Sequence, residues 1–171
     1  MTDVTLTVAG QAGQGIDTAS ELLARALVRS GYHTFSYPNI MSRIRGGHNF
    51  TAVRVSDRQV YSVPGKFNAL LAMDELSVDE HRGDMVEGGM IIAEPPESPS
   101  PRPSPAGGEG EEAGIAFRVP MAVIAEKHGG TKRMANVVGL GALLALTGHP
   151  ATGLRSLLKE RFAAKGEEVV K

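Results

Sequence analysis

The run Ser42-Arg43-Ile44-Arg45-Gly46-Gly47-His48-Asn49 gathers much polar and flexible chemistry into one connection. Arg43 and Arg45 carry planar forks of donors that match a phosphate or a carboxylate. Gly46 and Gly47 let the backbone approach a ligand closely or adopt a positive φ. His48 can donate, accept or transfer a proton near neutral pH. Ser42 and Asn49 can hydrogen-bond to a ligand or to the loop itself. A solvated basic loop, with His48 merely capping the next strand, would use the same residues. The run taken whole points to an anion-binding site.

A second run, Gly10-Gln11-Ala12-Gly13-Gln14-Gly15, joins a β-branched stretch to a helical pattern. Glycines permit a tight turn, and the N–H groups and positive dipole end of the following helix suit a phosphate or carboxylate. Gly10 and Gly15 fit the dinucleotide fingerprint, but Ala12 stands where its middle glycine belongs. The acidic residue that would hold a ribose falls in "TFSYPN", which has none, so NAD is disfavoured. A tight strand–helix turn without a ligand is the bland alternative.

Other chemistry is missing. There is no Gly-x-Ser-x-Gly elbow and no Gly-x-x-x-x-Gly-Lys-Ser/Thr phosphate loop. The acidic pairs Asp74–Glu75 and Asp79–Glu80 read as solvated or capping groups. His33, His48, His81, His128 and His149 are scattered without a His-x-x-x-His pair, which disfavours zinc. No cysteine is present, so the chain holds neither a disulfide nor a cysteine-ligated iron–sulfur cluster.

The elements that must position these residues follow from the hydrophobic pattern. "VTLTVAG" reads as a buried strand ending at Gly10, and apolar residues at helical spacing place a helix over 17–29, stopped by Gly31. "YHTFSY" and the alternating "NFTAVRVS" suit a second and third strand, with Asp57 and Arg58 turning into "QVYSV". "FNALLAM" leads from a strand into a short helix around "SVDEHR", and "GGMIIA" and "GIAFRVP" are further strands. Helices are expected over 121–127, 133–146 and 152–164, and "EEVV" is strand-like. Lys132, Arg133 and Asn136 fall near a helix start, where basic groups oppose the dipole and point to a contact elsewhere. Gly139 and Gly141 permit close packing behind them. The rhythm predicts a single α/β domain over 1–171, a three-layer α/β/α sandwich with a mostly parallel sheet, Rossmann-like.

Residues 94–114 interrupt that rhythm. Six of the chain's ten prolines fall there, with almost no apolar side chain, so the stretch is expected to be a disordered insertion. A formal net charge of −1 argues against nonspecific nucleic-acid binding. No secretory signal and no membrane-spanning run is visible, so a cytoplasmic location is expected.

In this order, "GQAGQG", "SRIRGGHN" and "RMANVVGLGALLALTG" resemble the gamma module of the 2-oxoacid:ferredoxin oxidoreductases. The "SRIRGGHN" form is most similar to gamma modules fused ahead of an alpha module, as in 2-oxoglutarate-type enzymes. The chain ends about where such a fused chain would continue. The resemblance implies a subunit that is inactive alone. Its complex would oxidatively decarboxylate a 2-oxoacid, transfer the acyl group to coenzyme A and pass electrons to ferredoxin. Thiamine diphosphate, magnesium and iron–sulfur clusters would belong to the alpha and beta partners. Gly10, Gly13, Gln14 and Gly15 would form the anion-binding turn. Ser42, Arg43, Arg45, Gly47, His48 and Asn49 would form the facing loop, with Asn136 matching a further family position. The residues alone leave open a free-standing nucleotide-binding module and a purely structural subunit.

Overall fold

The computed structural model describes residues 2–41, 47–95 and 114–162. In chain order it runs β1 (Asp3–Gln11), α1 (Ile16–Arg29), β2 (His33–Ile40), β3 (His48–Ser56), β4 (Phe67–Ala72), α2 (Glu75–His81) and β5 (Met85–Ala93). It then continues through β6 (Ile115–Arg118), α3 (Met121–Gly129), α4 (Ala135–Leu146) and α5 (Thr152–Phe162). The six strands form one sheet in the order β2-β3-β1-β4-β5-β6. The pairs β1–β4, β4–β5 and β5–β6 are parallel, whereas β3 runs antiparallel to both β1 and β2. The expected α/β architecture is present, and the sheet is mixed because β3 alone runs against its neighbours.

The alternation of side chains along a strand sorts the core into two layers. Leu6 and Val8 of β1, Val53 and Val55 of β3, and Ala69 and Leu71 of β4 face α1, α4 and α5. Helix α1 buries Ile16, Ala19, Leu22, Leu23, Ala26 and Leu27, its predicted apolar face. The opposite side of the sheet carries Ala52, Leu70, Ala72 and Ile91, and α2 adds Val78 to them. Glycine decides one close approach: a Cβ on Gly139 of α4 would lie 2.6 Å from Leu71 Cδ1 and 2.7 Å from Met121 Sδ. Gly141, also expected to permit close packing, faces open space instead.

Several boundaries differ from the sequence reading. Helix α4 starts at Ala135, because Lys132–Met134 forms a 3-10 turn whose Thr131 hydroxyl accepts the Arg133 N–H at 3.3 Å. The basic pair therefore lies ahead of the α-helix rather than in its first turn, and Lys132 Nζ sits 3.9 Å from Glu126. Residues 59–64 have no regular structure. Glu94, at the head of the proline-rich stretch, belongs to the folded body: its carboxylate accepts the Ala122 N–H and its carbonyl accepts Arg118 Nη1. Residues 96–113 of that stretch, and the strand-like "EEVV", lie outside the described residues. Among the described residues no helix is long and apolar enough to cross a membrane.

Candidate functional site at the carboxyl edge of the sheet

Strands β1, β2 and β4 all end at the same edge, and the antiparallel β3 begins there. In open α/β sheets this carboxyl edge is where ligands bind. β1 delivers the glycine turn, β2 leads into the arginine-bearing connection, and β4 leads into Met73 and Asp74. The register pairs Gly10 with Asn49 and Gln11 with His48.

The turn is fastened from within. The Gln14 N–H donates to the Gln11 carbonyl at 3.1 Å. In return the Gln11 N–H is shared between Gln14 Oε1 at 2.7 Å and Asp74 Oδ2 at 3.1 Å. Gly13 (φ 98°) and Gly15 (φ 79°) both hold left-handed values that a side chain would resist. A Cβ on Gly15 would also lie 2.6 Å from Asn136 Nδ2. Gly10 is closed in differently, since a Cβ there would press on Ile16 Cδ1 at 2.8 Å and Met73 Cβ at 2.9 Å. Asn136, only 8 % exposed at the start of α4, donates Nδ2 to the Gly15 carbonyl at 3.3 Å and so ties the starts of α1 and α4 together. Among the described residues no side chain caps α1, so its first-turn N–H groups have no side-chain acceptor there.

The two motifs meet. The Ala12 N–H donates to the Gly47 carbonyl at 3.1 Å, so the glycine turn and the end of the second run share a backbone hydrogen bond. Asn49 Oδ1 accepts the Met41 N–H at 3.0 Å and pins the start of the connection to its end. Ser42, Arg43 and Arg45 lie outside the described residues. Of the predicted site residues, Gly10, Gly13, Gln14, Gly15, Gly47, His48, Asn49 and Asn136 come together at this edge.

Sequence reasoning missed His81 and Asp84. His48 Nε2 lies 2.8 Å from His81 Nε2, and His81 Nδ1 lies 2.9 Å from Asp84 Oδ2. His81 is 4 % exposed and packs its ring edge-on to Phe50, with centroids 4.6 Å apart, and to Phe67 at 5.5 Å. Burial, followed by the neighbouring His81, holds the His48 pKa below the ordinary histidine value, against the pull of Asp74 and Glu80. No spacing signal announces this pair, because 33 residues separate its members. Asp74 is a cap, as the acidic-pair reading expects: Oδ1 accepts the Ser77 N–H at 2.9 Å and the Ser77 hydroxyl at 2.6 Å. Its neighbour Glu75 is engaged by both guanidinium nitrogens of Arg118, at 2.6 and 2.8 Å. Beside the histidines, Phe35, Tyr37, Tyr61, Phe67 and Asp84 line a cleft of about 410 Å³. Among the described residues no three His, Asp or Glu side chains gather where they could hold a metal ion.

The family model for pyruvate ferredoxin/flavodoxin oxidoreductase matches residues 5–171. The ketoisovalerate oxidoreductase subunit VorA of Methanothermobacter thermautotrophicus is 36% identical over 166 residues, covering 95% of this chain and 33% of its own length. The chain thus spans about a third of the length of that curated relative. Among solved structures, 2-oxoglutarate:ferredoxin oxidoreductase from Magnetococcus marinus, with 2-oxoglutarate, coenzyme A and succinyl-CoA bound, superposes with a TM-score of 0.83 at 26% identity. The match covers 99% of this chain and 29% of that one. Pyruvate oxidoreductase subunit PORC from Thermotoga maritima gives 0.79 at 20% identity, covering 99% and 90% of the two chains, a likeness of fold.

Proposed function

The chain belongs to the pyruvate ferredoxin/flavodoxin oxidoreductase family, and from that premise we propose that it is the gamma-type subunit or module of a 2-oxoacid:ferredoxin oxidoreductase. It contributes to the coenzyme A side of the site and to assembly. The carrying observation is the hydrogen bond between Ala12 and Gly47, which joins the glycine turn to the arginine-bearing connection at the carboxyl edge. Coenzyme A presents phosphates, and the first-turn N–H groups of α1, which no described side chain caps, together with Arg43 and Arg45 are the groups suited to them. The bound coenzyme A of the Magnetococcus relative supports this reading.

The clusters are assigned to alpha and beta partners, because this cysteine-free chain has no thiolate for one, and thiamine diphosphate and magnesium go to those partners by the family resemblance. Those partners, ferredoxin as the acceptor and a cytoplasmic location complete the proposal. The "SRIRGGHN" style favours 2-oxoglutarate as the acid. The likeness to VorA supports a second reading, in which the acid is branched. Turnover of the assembled complex with each acid, and with pyruvate, separates them.

The test lies in the arginines. In the assembled complex Arg43→Ala and Arg45→Ala should each cost about 1.5–3 kcal/mol of coenzyme A affinity, roughly ten- to a hundred-fold. The 2-oxoacid half-reaction should be spared. Lysine should restore part of the loss, since it keeps the charge without the planar fork. An unchanged Michaelis constant for coenzyme A in both variants would show that the connection serves docking instead.

A further inference from the structure

The three side chains Asp84, His81 and His48 form a line in which each hydrogen bond fixes the next. The Asp84 carboxylate can only accept, so His81 carries its proton on Nδ1. Only one proton fits between two nitrogens 2.8 Å apart, and with one proton on each ring His81 spends its own on Asp84. A neutral His81 protonated on Nδ1 has a bare Nε2, so the 2.8 Å contact requires His48 to donate from its own Nε2. His48 Nδ1 is then left as a lone pair, and that atom is shielded from solvent with no hydrogen-bond partner among the described residues. A buried acceptor without a donor is uncommon enough to call for a role.

We propose that Asp84 and His81 are positioning residues that hold His48 as its Nε2-protonated neutral tautomer, presenting Nδ1 as an acceptor at the edge where the two motifs meet. The group it receives is a hydrogen-bond donor, such as an amide N–H, a hydroxyl or a thiol, and not a phosphate. This deepens the function proposed above: His48 takes a donor group on the uncharged arm of the ligand. Among the described residues the charged groups whose fields act on His48 are the acidic Asp74 and Glu80, which disfavours a phosphate there.

Long-range proton–nitrogen correlation spectra of the ¹⁵N-labelled full chain, at a pH about one unit or more above the ordinary histidine value, read each tautomer directly. His48 should show a protonated Nε2 and a bare Nδ1, and His81 the reverse. In Asp84→Ala the His48 nitrogens should move toward the average of the two tautomers. A native His48 protonated on Nδ1 would overturn the proposal, and so would an unchanged His48 in a folded Asp84→Ala chain. If that variant fails to fold, the native spectrum decides. Coenzyme A should then shift His48 Nδ1 toward the hydrogen-bonded position, whereas ADP, which lacks the pantetheine amides and thiol, should not. A shift with ADP alone would overturn the donor assignment. Absence of any coenzyme A binding to the assembled complex would sink the function proposed above, while the tautomers of the ligand-free chain would stand or fall separately.

Discussion

The two faces of the central strands carry different chemistry from the same nine residues of β1. Toward α1, α4 and α5, Leu6 and Val8 enter a layer built mainly of aliphatic side chains. Toward α2, the alternate positions Thr5 and Thr7 are fully buried hydroxyl residues whose Oγ1 atoms have no hydrogen-bond partner among the described residues. Beyond them on that side come Asn68, which accepts the Thr5 N–H at 2.8 Å, and the His48–His81 pair. The helical face is built for packing, and the other face tolerates polar groups that add little to stability. Sites that hold chemistry on a stable scaffold commonly divide the work in this way.

That contrast can be tested by truncating one face and simplifying the other. Leu143 of α4 is fully buried in the helical layer, and Leu143→Ala should cost about 2–5 kcal/mol through lost burial and a residual cavity. Denaturant midpoints measure it, and a loss well below that range would mean that the helical face is loosely packed. On the opposite face Thr7→Val should run the other way. It removes a buried hydroxyl without a partner and keeps the shape, so a gain on the order of 1 kcal/mol is expected. A destabilised Thr7→Val would show that the hydroxyl has a partner in the assembled protein and that this face is better satisfied than it looks.

The smallest effect comes from a histidine on each side. His48 belongs to the polar face, whereas His149 lies against Tyr32, with ring centroids 5.3 Å apart. Burial is the first cause of the lowered pKa of each. The sign follows from which state takes the proton first. The unfolded chain protonates near the ordinary value of about 6.5, and the folded chain does so only at lower pH. Proton uptake therefore favours unfolding, and stability is lost as the pH falls from about 6.5 toward the depressed folded values. Melting temperatures across that window should decline, and His149→Phe should make the decline shallower. An unchanged slope would place the whole acid sensitivity elsewhere.

Much of this scaffold can be read from residue order. The six helical-spaced apolar residues from Ile16 to Leu27 become the buried stripe of α1, and the alternation of "NFTAVRVS" becomes β3. Strand direction is the harder property, because an alternating pattern is the same read either way. Nothing in "NFTAVRVS" states that β3 opposes its neighbours. The glycine turn and the connection after β2 are legible because each is one contiguous run with glycine at conformationally special positions. His81 and Asp84 are not. They lie on α2 and the turn after it, and they reach His48 only because α2 packs across the sheet. Arg118, which grips Glu75 from 43 residues away, is hidden for the same reason.

The antiparallel seam of β3 also governs where this chain can change length. His48, Phe50 and Ala52 point to one side and Val53 and Val55 to the other, and β3 is bonded along its length to strands on both flanks. A residue added within it would turn the histidine into the helical layer and expose valine in its place. The segment at 57–66, outside the ladder, has no such parity to keep. Loop grafts and chimeric exchanges between relatives therefore have a natural joint at 57–66, after β3, and none inside it.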